Sequence, residues 1–520
     1  MKFSPFALTF IFSIAIPFLC SAQFDKENTH PYLKSKELKY KTDEFFNQII
    51  GKDEEGNYLM MYRKKDDIYV SCLDTNLNVK RRVLSKRKHF KQFQFNLDDR
   101  IIKINEEFFY FYTFNDKDKH ILHLYSQQLN QETLEFDYPY EMSEINYEGE
   151  VMGYMAGCYI SYSSDFSKLL ITTYIPGSAL TAQLSFLVLD KNLEELWSKE
   201  VFKIEDGHNW NHLITDFHLG TDGKVYFMKS GESQSFKDEK LGIFHPSEIY
   251  VYDVNEEEPE VISCGLDTRN IEQAKLELLW NGDIQVVGFY SNKGKYQNGI
   301  FSLTYDHYSH NLIQKEMTPF STPFIMQYAS YMEKDNAAIR ETNEKDVKVM
   351  PFKDIGLIKS GDSSVILIAE QAEFKINQQD AYYSFNNVLV AKLNNDGQVV
   401  WEVLIPKRQF LKNAEVYYSG FALIESSDGT LGFVFNDNPS NFLYESKGSP
   451  QKWKGNKKNT DLVLFTVSPE GQLKRKSLTH ELDFNVLWEP NKGAQQVDEK
   501  ELLLWGSNKK MLKLFLVNLP

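Results

Sequence analysis

The feature that most constrains this chain is a pair of hairpins that recurs along its length. One half of the pair is an apolar strand ending in Asp, Asn or Ser, then a short polar turn and a second strand. Ile68–Asp74 turns at Thr75-Asn76 and continues to Val83. Leu184–Asp190 turns at Lys191-Asn192 and continues through Trp197, and Ile249–Asp253 continues to Val261-Ile262. Val388–Leu393 turns at Asn395-Asp396-Gly397 and continues to Trp401, and Leu462–Val467 turns at Pro469-Glu470-Gly471. Weaker copies occupy Ile121–Tyr125 and Gly299–Asp306, and a last one occupies Lys513–Asn518.

The other half of the pair precedes these copies, and its turn is often glycine-bearing. Examples are Glu55-Gly56-Asn57, Asp222-Gly223-Lys224, Asn281-Gly282-Asp283, Gly361-Asp362 and Asp428-Gly429. Asx-Gly pairs supply the positive φ angles that tight hairpins require. Two hairpins make four strands, and four-stranded units repeating at this spacing predict the blades of a β-propeller. The expected fold is all-β, with seven or eight four-stranded blades and eight favoured. A pair of β-sandwiches is the competing architecture. The last copy stops one strand short of a complete blade. The stretch Tyr32–Tyr40 lies ahead of the first repeat and is expected to supply that strand, which would remove an unpaired edge.

One segment breaks the pattern. Phe324, Tyr328, Tyr331 and Met332 fall at i, i+4, i+7 and i+8, the spacing of an apolar helical stripe. Residues 323–347 are therefore expected to form a helical insertion between blades five and six.

The N-terminus points to export. Lys2 precedes an apolar run from Phe6 to Leu19, and Cys20-Ser21-Ala22 offers small residues for cleavage before Gln23. That run is shorter than the ~20 residues of a spanning helix, and no other stretch is long enough, so no integral membrane segment is expected after cleavage. Bulky Leu19 and Pro17 argue against lipidation at Cys20. Residues 1–22 form the expected signal peptide and residues 23–520 a single propeller domain. Losing Lys2 leaves 57 Lys and Arg against 73 acidic residues, a formal charge of −16. A surface so acidic repels phosphate backbones, so no nucleic-acid partner is expected, despite the local run Lys80-Arg81-Arg82. Three cysteines then remain, Cys72, Cys158 and Cys264. An odd and sparse set allows at most one bridge and no disulfide framework.

No catalytic residue, metal set or cofactor follows from the motifs. The chain has no Gly-x-Ser-x-Gly elbow, His-Glu-x-x-His or phosphate loop. Asn115-Asp116-Lys117-Asp118 opens like a calcium loop but lacks the Gly and Glu such a loop needs, so a hairpin turn is expected there. His208, His212 and His218 with Asp206 and Asp216 are read as loop and surface residues leading into a strand rather than as a zinc set.

Two resemblances add to this reading. Asn395-Asp396-Gly397 followed by Trp401, and Asp190 followed by Trp197, resemble the Asp…Gly…Trp run of quinone-dependent dehydrogenase-type propeller repeats. In those repeats the Trp docks adjacent blades. The Thr-Gly that usually precedes the strand is absent, so the likeness implies blade architecture and not quinone binding. Separately, Val365–Gln371, Ile405–Gln409 and Phe433–Pro439 resemble an uncharacterised family of secreted bacterial proteins with an Ala-Glu-Gln, Ile-Pro-Lys-Arg-Gln and Phe-Asn-Asp-Asn-Pro series. That likeness covers about 350–480 and implies an exported β-repeat protein without implying an activity.

The same three clusters are the candidate binding residues. Glu370 and Gln371 interrupt an apolar strand; Lys407, Arg408 and Gln409 follow one strand, and Asn436, Asp437 and Asn438 follow another. Meeting at one mouth of the ring, they would form a polar pocket rimmed by Tyr417, Tyr418 and Phe442, suited to carbohydrate or peptide. The alternative is that they are turn residues and inter-blade salt bridges. The function read from the sequence is an exported cell-envelope binding or scaffold propeller with a protein or glycan partner. A glycan-active hydrolase or lyase, and a periplasmic assembly factor that captures a client strand, are the other readings.

Overall fold

The structure, a computed structural model, describes residues 33–39, 45–64, 67–85, 100–147, 157–176, 181–205, 214–229, 247–292, 296–343, 347, 350–377, 380–441, 449–479, 486–491, 493–508 and 511–519. Its strands pair into eight antiparallel sheets. Blades one to seven span residues 45–85, 100–146, 157–205, 214–264, 270–319, 352–412 and 422–477, each with four strands paired in chain order, and in blade six an added strand, Gln409–Lys412, pairs with the third. Every repeat read from the sequence is the third strand of one of these blades, and the glycine turns join first to second strands.

Blade eight is assembled from both ends of the chain. Leu487–Trp488 and Ala494–Asp498 pair with Glu501–Asn508, which pairs with Met511–Asn518. The N-terminal strand Leu33–Lys39 completes the blade, running antiparallel to Met511–Asn518 from Leu33 opposite Val517 to Lys39 opposite Met511. The ring closes where Ala494–Asp498 contacts the first strands of both blade seven and blade one. Met60, Leu514 and Leu516 share one core cluster across that seam.

Middle strands are buried on both faces because each blade is packed between two neighbours. Every residue of Ile284–Ser291 and Gly299–Tyr305 in blade five is buried, whereas none of the outer strand Leu312–Pro319 is. Most turns use a side chain as a cap. Asp74 accepts from the backbone N–H groups of Asn76 (2.9 Å) and Asn78 (2.8 Å). Asp190 does the same for Asn192 and Glu194. This geometry drives Leu77 and Leu193 to positive φ without a glycine.

The insertion between blades five and six is helical but broken. Helix α1 is Thr322–Ile325 and helix α2 is Tyr331–Thr342. Tyr328 lies between them, so the four-residue stripe does not sit on one helix. Ser330 ends the break by capping α2, with its hydroxyl accepting from Glu333 N–H while the Glu333 carboxylate accepts from Ser330 N–H. Residues 117–120 form a hairpin turn, as expected of the Asn115–Asp118 run. Cys72, Cys158 and Cys264 form no disulfide, and burial pushes the Cys264 thiol up to about 12. Among the described residues no helix is long and apolar enough to cross a membrane.

Candidate functional site

In a blade with antiparallel neighbours, the second and fourth strands run the same way, so their ends reach the same face of the ring. Glu370 and Gln371 lie late in the second strand of blade six (Val365–Asn377). Lys407 follows the fourth (Val399–Ile405), and Asn436 and Asp437 end the second strand of blade seven (Leu431–Asp437). All three clusters therefore arrive at one face, at the junction of blades six and seven.

They do not line one open pocket there; six of the eight are consumed by a buried polar seam. The Lys407 ammonium pairs with the Glu370 carboxylate, and both side chains are buried. Rings of Phe385, Phe421 and Phe435 surround that ammonium, with centroids 5.6, 5.9 and 5.6 Å away. Gln409 donates to Asn436 O (2.8 Å) and accepts from Gly420 N–H (3.2 Å). Asn436 donates to Tyr418 O and to Trp488 O, both at 2.8 Å, which ties blade seven to blade eight. Asp437 accepts from Asn441 (2.7 Å) and from Arg475 (3.2 Å). Burial nevertheless holds its carboxyl above the usual range, against Asn441 and Arg475. Asn438 donates to Lys452 O (3.1 Å) and fastens the 449–460 segment to the blade. Phe442 lies outside the described residues.

The other two candidates, Gln371 and Arg408, line a cavity together with Lys407. It lies between the insertion and blade six and has a volume of about 120 Å³. Ile325, Met326 and Tyr328 form its apolar side, and Gln371, Asn386 and Asn387 its amide side. Lys407 contributes to the wall even though its charge is spent on Glu370. Arg408 faces it with no carboxylate within ion-pair distance among the described residues, and it donates to Ser449 Oγ (2.5 Å) and Pro450 O (3.5 Å). Its backbone is pinned by Trp453, whose N–H donates to Arg408 O (2.9 Å) and whose ring is fully buried. Glu333 also lines the cavity. Burial raises its carboxyl, but the Ser330 hydrogen bonds and then the Arg408 charge outweigh this and leave it below the ordinary value.

Asn386, Asn387 and Glu333 escaped the sequence reading. Asn386 and Asn387 sit mid-way along a 14-residue strand, Asp380–Leu393, and interrupt its apolar run just as Glu370 and Gln371 do in the partner strand. Ser330-x-x-Glu333 is a capping-box spacing that marks where the second helix starts.

Among the described residues, two other groups bring metal-ligand atoms within 4.8 Å of one another, His123 with Glu141 and Glu144, and Asp283 with Asp306 and His307. Hydrogen bonding accounts for the second: Asp283 accepts from His307 N–H (3.2 Å) and Asp306 from Tyr308 and Ser309 N–H (3.1 and 2.7 Å). Asp206, His208 and His212 lie outside the described residues. Asp216 pairs with Lys275 of the next blade at 2.6 Å, with His218 Nε2 3.9 Å away.

No family model matches the chain, and no curated protein matches it. Among solved structures, the polysaccharide lyase Uly1 overlaps 84% of this chain and 94% of its own, at 10% identity and a TM-score of 0.38. An α-L-arabinofuranosidase from Lactobacillus brevis overlaps 61% of this chain and 92% of its own, at 14% identity and a TM-score of 0.31. A Synechocystis ACO mutant overlaps 93% and 98%, at 11% identity and a TM-score of 0.36. Likenesses at this level carry no argument about activity; the propeller assignment stands on the strand pairing.

Proposed function

We propose that this protein is an exported binding propeller of the cell envelope, of the secreted β-repeat family that residues 350–480 resemble, and that its ligand enters the blade-six cavity. The observation that carries the reading is the cavity itself, in which three amides, the Arg408 guanidinium and the Glu333 carboxylate converge beneath a helical insertion. A concave site with an apolar side and a few convergent polar groups suits ligand recognition. Of the carboxylates near it, the two that the sequence singled out are not offered to a substrate. Glu370 is paired with Lys407, and Asp437 is held by Asn441 and Arg475, both out of solvent.

The test is a thermal-shift screen of the chain purified after export, against glycans, divalent metals and envelope peptides. A ligand of the folded state raises Tm by mass action, about 2.7 kcal/mol of added stability at a hundred times Kd. The expected result is a glycan or peptide hit that Arg408→Ala removes. Hits indifferent to Arg408→Ala, or silence across the panel, would overturn the reading. N-terminal sequencing of the exported chain is expected to begin at Gln23.

A further inference from the structure

We infer that the cavity takes the carboxylate of an acidic saccharide, held by Arg408 with Lys452 and Lys454 beside it; this rests on reading the cavity as the binding site. The mature chain carries a formal −16, yet Lys452 and Lys454, outside the cavity wall, lie near enough to Arg408 for Lys452 to feel both other charges. Arg408 uses one guanidinium nitrogen on Ser449 and Pro450. Lys452 lies over the Phe410 ring, 4.6 Å from its centroid. Among the described residues no carboxylate is within ion-pair distance of Arg408, Lys452 or Lys454. Burial, then the charges of Arg408 and Lys454, pull the Lys452 ammonium below its ordinary value. Glu333 is the one acid on the cavity wall, and its Oε2 already accepts from both Ser330 N–H (2.7 Å) and Ser330 Oγ (2.6 Å).

A cluster of cations that repel one another is relieved by an anion, and a guanidinium with a free edge matches a carboxylate with two parallel hydrogen bonds. The rest of the wall suits hydroxyl groups. Gln371 and Asn386 spend donors only on Met350, on its carbonyl at 3.3 Å and its sulfur at 3.4 Å respectively. Outside, Tyr382 and Phe410 stack at 5.7 Å and present ring surface next to Lys452. Amides for hydroxyls, aromatic faces for a ring and cations for one carboxylate together describe a uronate-bearing glycan.

The experiment is calorimetric titration of the full exported chain with trigalacturonate, with neutral galactotriose and with triglutamate, at low and high salt. Trigalacturonate is expected to bind at least about tenfold tighter than galactotriose, a difference of ~1.4 kcal/mol, and to weaken with salt as exposed charges are screened. Arg408→Gln is expected to reduce trigalacturonate to the neutral level. Lys452→Gln, a surface change that leaves the Arg408 backbone anchored, is expected to cost a few-fold and to flatten the salt dependence. Equal binding of the two saccharides, or tighter binding of triglutamate, sinks the acidic-saccharide inference but leaves the cavity reading standing if Arg408→Gln removes that binding. No heat with any of the three also sinks it, and the thermal-shift panel then decides the cavity separately.

Discussion

Glu370 and Lys407 form an ion pair sealed among phenylalanine rings, and the energetics of such pairs are asymmetric. Removing one partner strands a charge out of water, at a cost of about 3–5 kcal/mol, whereas replacing both with apolar groups is often neutral. Lys407→Met is thus expected to lose that much stability in denaturant melts, and Glu370→Leu with Lys407→Met to recover most of it. A double variant as unstable as the single would show that the residues do not act as a unit. Glu402 makes a second case. One of its carboxylate oxygens is buried without a partner, and burial raises its pKa above the ordinary 4.5. A raised folded pKa contributes stability that is present below the unfolded value and lost as pH climbs through the folded one. Glu402→Gln is therefore expected to match the wild type in Tm near pH 4 and to exceed it at pH 7; parallel Tm curves would refute this. The eight site residues stood out in the sequence because Glu370 and Gln371 interrupt an apolar strand and the two other polar clusters directly follow one. That Glu370 and Lys407 neutralise each other was not legible, since it depends on where a second and a fourth strand end in space.

Between elements, tryptophans dock neighbouring blades. Trp401 donates to Pro469 O at 2.9 Å in the turn of blade seven, and its ring lies on Gly471, where a Cβ would come within 2.8 Å of it. Gly471 also sits at φ +80°, which costs a side-chain-bearing residue roughly 1 kcal/mol by itself. Gly471→Ala is expected to destabilise by more than that backbone cost, and by only that cost when combined with Trp401→Ala. Additive losses in the two variants would deny the contact. Trp197 reaches its neighbour similarly, 6.0 Å from Tyr252. These contacts match what the Asp…Gly…Trp resemblance implied about architecture. The insertion was legible as helical, but not its break. Apolar spacing was read as one stripe, while the Ser330 cap and Pro323 at the start of α1 dictate two helices.

At the scale of the molecule, the number of blades followed from counting third strands, because each of blades one to seven carries an Asx- or Ser-capped turn after its third strand and the last third strand ends the chain. Closure followed from a missing fourth strand, which Leu33–Lys39 supplies. What the repeat could not supply is the site, since a ring of eight similar blades offers eight similar junctions. The junction of blades six and seven differs from a plain one because of three additions: the insertion, the long hairpin of blade six, and the 449–460 segment sewn down by Asn438 and Trp453. The proposal that this junction is where the protein binds is tested most directly by hydrogen–deuterium exchange, with and without whichever panel compound raises Tm. The account predicts slowed exchange in 322–342, in 407–411 and in 449–454, and nowhere else to a comparable degree. Protection confined to another blade junction or to the axis-lining strands, with these three segments unchanged, would contradict it.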